Sequence, residues 1–600
     1  MAQKALKRNE VPVNETWDLS RLFKTEADYE AAVSDAEKQA NAFVENYKGK
    51  LNSSLIINKA LDDYRNLQVL MNYVGTYQSL NLSSDQTNEE NAIRSGKYGI
   101  FAADVSKKLV FFMSELQSLD LNLLEAAKND ATENKKFLEK VIKDLKHKLD
   151  PVTEKSLSEF TQVLNAPREI YQKFKLSDMN FGTFTVKGET HDLSFSLFEG
   201  GWSNVVNTDI RRAAFENFYA KLGEYENGLA NNYQTQILKE KAYANLKGFD
   251  TVFDYLLDMQ DVSIDLYNRQ IDIIMEKLAP AMRKYASLLK EIHKLNKMTY
   301  ADLHLAVDPE FEPAVTAQES KNYALESLAL LGPDYRKMIE RSFDERWIDF
   351  PKSLGKSTGG FCSSPYQKGS YILLNWNNQM NEVFVLAHEL GHAGHFYFAS
   401  AAQNAFNTRP SMYFVEAPST MNEIVMAEHL KAKESDERFK RWVLSSMVSR
   451  TYYHNCVTHL LEAYYQREVY RLVEAKKPIT AKVLNGLMLG TIKKFWGDAV
   501  EVPDYAGRTW MRQPHYFSGL YPYTYSAGLT VATAAFENIR SGKIKVETWL
   551  DVLKAGGTLK PVELAKLAEV DLTTEQPLLS MINYVSSMID EVVEITGKIK

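Results

Sequence analysis

Residues 383–395 read Val383-Phe384-Val385-Leu386-Ala387-His388-Glu389-Leu390-Gly391-His392-Ala393-Gly394-His395. Val383, Phe384, Val385, Leu386 and Leu390 make this an apolar helix that buries whatever the histidines carry. On that helix His388 and His392 are four residues apart and project from one face. Buried imidazoles need partners, and a metal ion is a good one. Two imidazoles at this spacing can hold one Zn²⁺ and leave coordination positions open. Glu389 sits beside the first of them, placed to reach water at the metal rather than the metal itself. Zinc lowers the pKa of that water toward neutrality, and a carboxylate takes its proton as it attacks a carbonyl. The pentad therefore points to hydrolysis of a peptide bond. The competing reading, a helix that carries two histidines by chance, is disfavoured by the apolar surroundings.

A stable catalytic site needs a third protein ligand. His395 is one candidate, three residues past His392 on nearly the same face. A metzincin-type site would need glycine at 395 and histidine at 398, where the chain has His395 and Phe398. A downstream carboxylate fits better. The segment Val415-Glu416-Ala417-Pro418-Ser419-Thr420-Met421-Asn422-Glu423 places two glutamates seven residues apart, on one face if a helix spans both. One would ligate zinc and the other hydrogen-bond a ligand histidine. Spacing does not choose between Glu416 and Glu423.

The motif at 388–395, followed by Phe-Val-Glu-Ala-Pro-Ser-Thr at 414–420, resembles the oligoendopeptidase F group of the M3, thimet oligopeptidase-like, metallopeptidases. Trp17-Asp18-Leu19, Gly359-Gly360-Phe361 and the tyrosine-rich segment after His515 also look like this group, so the resemblance extends over most of the chain. It implies that Glu416 is the third ligand of one Zn²⁺ per chain, and that Glu423 stands behind a ligand histidine. It implies a zinc endopeptidase with Glu389 as general base, acting on short unstructured oligopeptides in a channel between two helical lobes.

His515, Tyr516, Tyr521, Tyr523 and Tyr525 fall close together, broken by Gly519 and Pro522. Proline and glycine make this a loop or the start of a helix. An oxyanion formed at a scissile carbonyl needs donors already in place, and tyrosine hydroxyls and an imidazole N–H are such donors. The family resemblance implies that role for His515 with Tyr523 and Tyr525. An aromatic packing cluster is the alternative for any one of these tyrosines.

Ser370-Tyr371-Ile372-Leu373-Leu374-Asn375-Trp376 is short, apolar and bounded by Gly369, and reads as a strand. A peptidase without side-chain preference can bind substrate along such an edge. Gly355-Lys356-Ser357 resembles the end of a phosphate-binding loop, but Phe350 occupies the position where its first glycine must stand. His429, His454 and His459 read as core or surface histidines, and the charged run from Glu133 to Lys148 as a solvated helix face.

Helical periodicity runs through about 26–47, 52–80, 88–128, 152–175, 209–246 and 264–296. Thr316 and Glu319 form a capping box for a helix ending near Leu331-Gly332-Pro333. A hairpin is expected at 181–197, as a cap on the first lobe. The fold expected is thus mainly α, two-lobed with a small β region, with residues 1–200 as an N-terminal helical domain and 201–600 as the catalytic domain. A net charge of −7 with no basic stripe argues against nucleic acid. Met1 to Val13 lacks an apolar signal-peptide core, and no long uncharged apolar run suggests a membrane span. Only Cys362 and Cys456 occur, compatible with a reducing compartment, and the location expected is cytoplasmic. The composition leaves the oligomeric state open. Two other functions share these features. A helical metallocarboxypeptidase would use Arg508 or Arg512 to hold a substrate C-terminus. A peptide-binding protein without catalysis would have no need of Glu389.

Overall fold

A computed structural model describes residues 6–599 of the 600-residue chain, so the first five residues of the charged opening Met1–Val13 lie outside it. Helices dominate, and five short strands make up all the sheet among the described residues. The first long helix, Glu26–Tyr47, begins where Thr25 and Asp28 exchange side-chain and backbone hydrogen bonds, satisfying amides that have no partner within the helix. It packs with Ser54–Ser84 and Glu89–Leu116 around a core of their own that includes Phe43, Ile57, Leu61, Leu109 and Phe112. The periodicity expected through 88–128 is interrupted. Asp120 accepts from the Asn122 amide at 2.9 Å and starts a new helix, Leu121–Asp130.

A second, much larger core draws on residues from Tyr171 to Ile595. The expected hairpin is present as antiparallel β1 (Thr183–Val186) and β2 (Glu189–Asp192). Its turn residues Lys187 and Gly188 both have positive φ, 50° and 88°, the conformation a two-residue hairpin loop requires. It does not cap the first lobe. Phe184, with Phe181 and Leu193 beside the strands, is buried in the larger core. The Thr316–Glu319 capping box also forms and starts Ala317–Ser327.

The remaining sheet holds β3 (Ile348–Pro351), β4 (Phe361–Ser363) and β5 (Tyr371–Trp376) in the order β3-β5-β4. β5 is the apolar strand legible in the sequence, but it is the middle one, parallel to β3 and antiparallel to β4. Ile372 and Leu373 are paired on both sides, so that stretch cannot receive a substrate as an added strand. Trp17, Leu22 and Leu80 pack on its Tyr371 and Leu373 and tie the N-terminal helices to this sheet.

From β5 the chain enters the motif helix, Met380–Ala402, which packs closely on the Ala417–Lys433 helix. Gly391 permits the approach: a Cβ there would stand 2.4 Å from the Pro418 carbonyl oxygen and 2.5 Å from the Ser419 Cα. Both are backbone atoms and cannot swing aside. Gly391→Ala is therefore expected to destabilise the chain by about 1–3 kcal/mol and to lower its metal content. Thermal melting with metal analysis checks this; a variant equal to wild type on both counts would show that the helices do not need this spacing.

Candidate metal centre

His388 and His392 project from one face of the motif helix, and Glu416 meets them from the residue preceding the Ala417–Lys433 helix. A single carboxylate oxygen, Glu416 Oε2, is 3.4 Å from His388 Nε2 and 3.3 Å from His392 Nε2. The donor atoms of the three residues all fall within 4.8 Å of one another. Two imidazoles and a carboxylate converging in this way are the donor set of an open catalytic zinc site, and the residues present fit that ion. Ser419 Oγ donates to Glu416 Oε2 at 2.9 Å and fixes the carboxylate. Gly528 lets a third helix, Tyr523–Arg540, close over it, since a Cβ there would be 2.7 Å from Glu416 Cβ.

The two acidic candidates separate clearly. Glu423 does not face the donor cluster; its Oε1 is 2.6 Å from His388 Nδ1, and its other oxygen accepts from Thr451 Oγ1. It thereby leaves His388 Nε2 directed at Glu416. Burial disfavours a charged His388, but Glu416 and Glu423 outweigh it and hold the imidazole pKa well above its usual value. Burial likewise pushes Glu416 up, while His392 and His388 hold it well below the carboxylate range. His395 is turned away. It is fully buried, stacked on Phe396, and burial with His392 nearby pushes its pKa down to about 3.

Glu389 is 6% exposed and is not one of the three converging donors. Burial raises its pKa above the usual glutamate value, with His388 and His392 opposing. The Gly359-Gly360-Phe361 stretch passes beside it, and a Cβ on Gly360 would be 3.3 Å from Glu389 Oε1. The Cys362 thiol is pushed up to about 12 by burial and by Glu389, which makes it a poor nucleophile.

A cavity of about 610 Å³ opens at this cluster, lined by His388, Glu416, Glu423, Arg450, His454 and Tyr525 among others. Its far wall comes from two π-helical turns, Met447–Tyr452 and His454–Thr458, between the Glu437–Ser446 and His459–Glu474 helices. Tyr525 reaches the cavity, and its hydroxyl is 3.4 Å from His515 Nε2. Tyr523 does not join them. It is 1% exposed, donates to Gln260 Oε1 at 2.7 Å and packs on Tyr267. Two residues along a helix is a rotation of about 200°, so Tyr523 and Tyr525 face opposite sides. Tyr521, four residues before Tyr525, shares its side and has a ring 5.3 Å from it. Sequence reasoning also passed over Glu462, whose Oε2 is 3.2 Å from His515 Nδ1. Arg508 and Arg512, the cations a carboxypeptidase would need, are engaged by Glu226 at 2.8 Å and Glu199 at 3.1 Å.

Comparison with known proteins shows the family. The family model "Peptidase family M3" matches residues 203–584, and "Oligopeptidase F" matches 115–181. The chain is 26% identical to oligopeptidase PepF of Bacillus subtilis, covering 99% of this chain and 89% of that one. It is 27% identical to an oligoendopeptidase F homolog of Borreliella burgdorferi, covering 98% and 100%. The fold matches the crystal structure of oligoendopeptidase-F from Enterococcus faecium with a TM-score of 0.74, at 19% identity over 96% of this chain and 99% of that one. Among the described residues no helix is long and apolar enough to cross a membrane. With a family model spanning well over half its length, the chain belongs to peptidase family M3 and is a metalloendopeptidase that acts on oligopeptides.

Proposed function

We propose that the protein is a zinc-dependent endopeptidase that cleaves internal bonds of short unstructured peptides in the cytoplasm. His388, His392 and Glu416 would hold one Zn²⁺. When bound, the ion supplies Lewis acidity toward a carbonyl oxygen and makes water more acidic. The observation that carries the reading is the convergence of two imidazole Nε2 atoms on one oxygen of Glu416, with Glu389 buried beside them and outside the donor set. Glu389 takes the proton of the attacking water and carries it toward the leaving amine. Glu423 keeps His388 in the tautomer that frees Nε2. Tyr525 stands at the cavity wall as a donor for a developing oxyanion, and His515 behind it meets the Tyr525 hydroxyl through Nε2. In this reading Tyr523 contributes packing, and Tyr521 orients Tyr525.

The deciding experiment is cleavage of an internally quenched peptide blocked at both ends, by zinc-replete protein with and without a chelator. Internal cleavage that stops with the chelator is expected. Cleavage confined to the unblocked peptide, trimmed from its C-terminus, would replace the endopeptidase with an exopeptidase. Cleavage that persists with zinc removed would sink the metal reading.

A further inference from the structure

Behind the cavity wall, Glu462 is 2% exposed and receives two imidazoles on one oxygen. Its Oε2 is 2.8 Å from His459 Nδ1 and 3.2 Å from His515 Nδ1. Glu462 and His459 are three residues apart on the His459–Glu474 helix, while His515 arrives from the Pro514–Phe517 turn, so the carboxylate joins two distant parts of the chain. Burial alone would push Glu462 up, but His459 and His515 outweigh it and hold it down to about 2. An ionised carboxylate only accepts hydrogen bonds, so both Nδ1 atoms must be donors.

Two consequences reach the cavity. His515, pinned through Nδ1, presents Nε2 toward the Tyr525 hydroxyl at 3.4 Å. His459, pinned in the same way, lays its ring flat against Tyr525, with centroids 3.9 Å apart and planes 19° from parallel. Its own Nε2 meets His454 Nε2 at 3.1 Å. Burial with His459 nearby keeps His454 neutral, its pKa pushed down to about 3, so His454 can donate there. Glu462 thus fixes both the ring seat and the hydroxyl partner of Tyr525, and Tyr525 lines the cavity with His388 and Glu416.

We propose that Glu462 is a positioning residue that sets the tautomer of His515 and, through His459, the seat of Tyr525 at the reacting carbonyl. This rests on the endopeptidase reading of the cavity. The same three residues place their donor atoms within 4.8 Å of one another, so a second metal ion is the rival occupant.

The test uses the full chain and the blocked quenched peptide. Glu462→Gln keeps the shape and removes the charge. Its kcat is expected to fall by about 10–100-fold, with KM and metal content near wild type, and Glu462→Asp should recover part of the loss. An unchanged kcat in Glu462→Gln would overturn the proposal. So would kcat and metal content falling together with no recovery in Glu462→Asp, since that is a structural role. Metal analysis giving two ions per wild-type chain would assign the cluster to a metal instead. A second readout needs neither turnover nor a variant at 462. In ¹⁵N-histidine spectra of the metal-free wild type, with the signal assigned by its loss in His515→Gln, His515 should carry its proton on Nδ1. A proton on Nε2 alone would overturn the inference. Wild type inert toward the peptide would sink the endopeptidase reading, and the spectrum would still judge the geometry.

Discussion

Glu389→Gln is expected to retain zinc as wild type does and to cleave peptide about 10²–10⁴-fold more slowly. The side chain is buried, close to the Gly360 backbone, and is not one of the converging donors, so an isosteric amide should leave the metal cradle undisturbed. What the amide cannot do is take a proton. Burial raises the pKa of the native carboxylate above the usual glutamate value, which makes it a stronger base than an ordinary one. Steady-state kinetics and metal analysis on one preparation check both halves. Turnover within tenfold of wild type would remove Glu389 from the chemistry, and loss of metal would make it part of the cradle.

The second large effect separates the competing third ligands. Glu416→Ala should weaken zinc retention by more than about 100-fold, the upper end for losing a mere partner of a ligand. His395→Ala should leave metal content unchanged. Glu416 Oε2 stands at 3.3 and 3.4 Å from the His392 and His388 imidazoles, whereas His395 stacks on Phe396 and is not among the converging donors. Competition with a chromogenic chelator measures both variants. The reverse order would mean that the carboxylate is a hydrogen-bond partner and that the histidine rotates into the site when zinc is present.

Much of this was legible in the sequence. A four-residue spacing on an apolar helix fixes which imidazoles meet, and the family resemblance separated Glu416 from Glu423 where spacing alone did not. The helix at 26–47 was readable from periodicity and the start of Ala317–Ser327 from Thr316 and Glu319, whereas the spans at 209–246 and 264–296 each fold as two helices. What escaped was decided by partners distant in the chain. A central strand and an edge strand can share one apolar pattern, and β5 is central only because residues 348–351 and 361–363 flank it. Tyr523 and Tyr525 face opposite sides of one helix, and which of them meets the cavity is decided by how that helix packs. Glu462 looked like any helical glutamate until His515, 53 positions away, reached it.

The two widened turns at 447–458 have a further effect on how the wall is phased. An α-helix advances about 100° per residue, and a π turn takes up more residues than an α turn for the same revolution. Everything downstream is therefore rotated relative to an unbroken helix from Glu437 to Glu474. Thr451 lies within the wide turns and braces Glu423, while His459 and Glu462 lie beyond them and brace Tyr525 and His515. The bulges act as an angular offset between two sets of braces that serve one cavity. Pattern matching at a constant 3.6 residues per turn loses step there, so the histidines of this stretch read as scattered although the folded chain gathers His454, His459 and His515 into one chain of contacts.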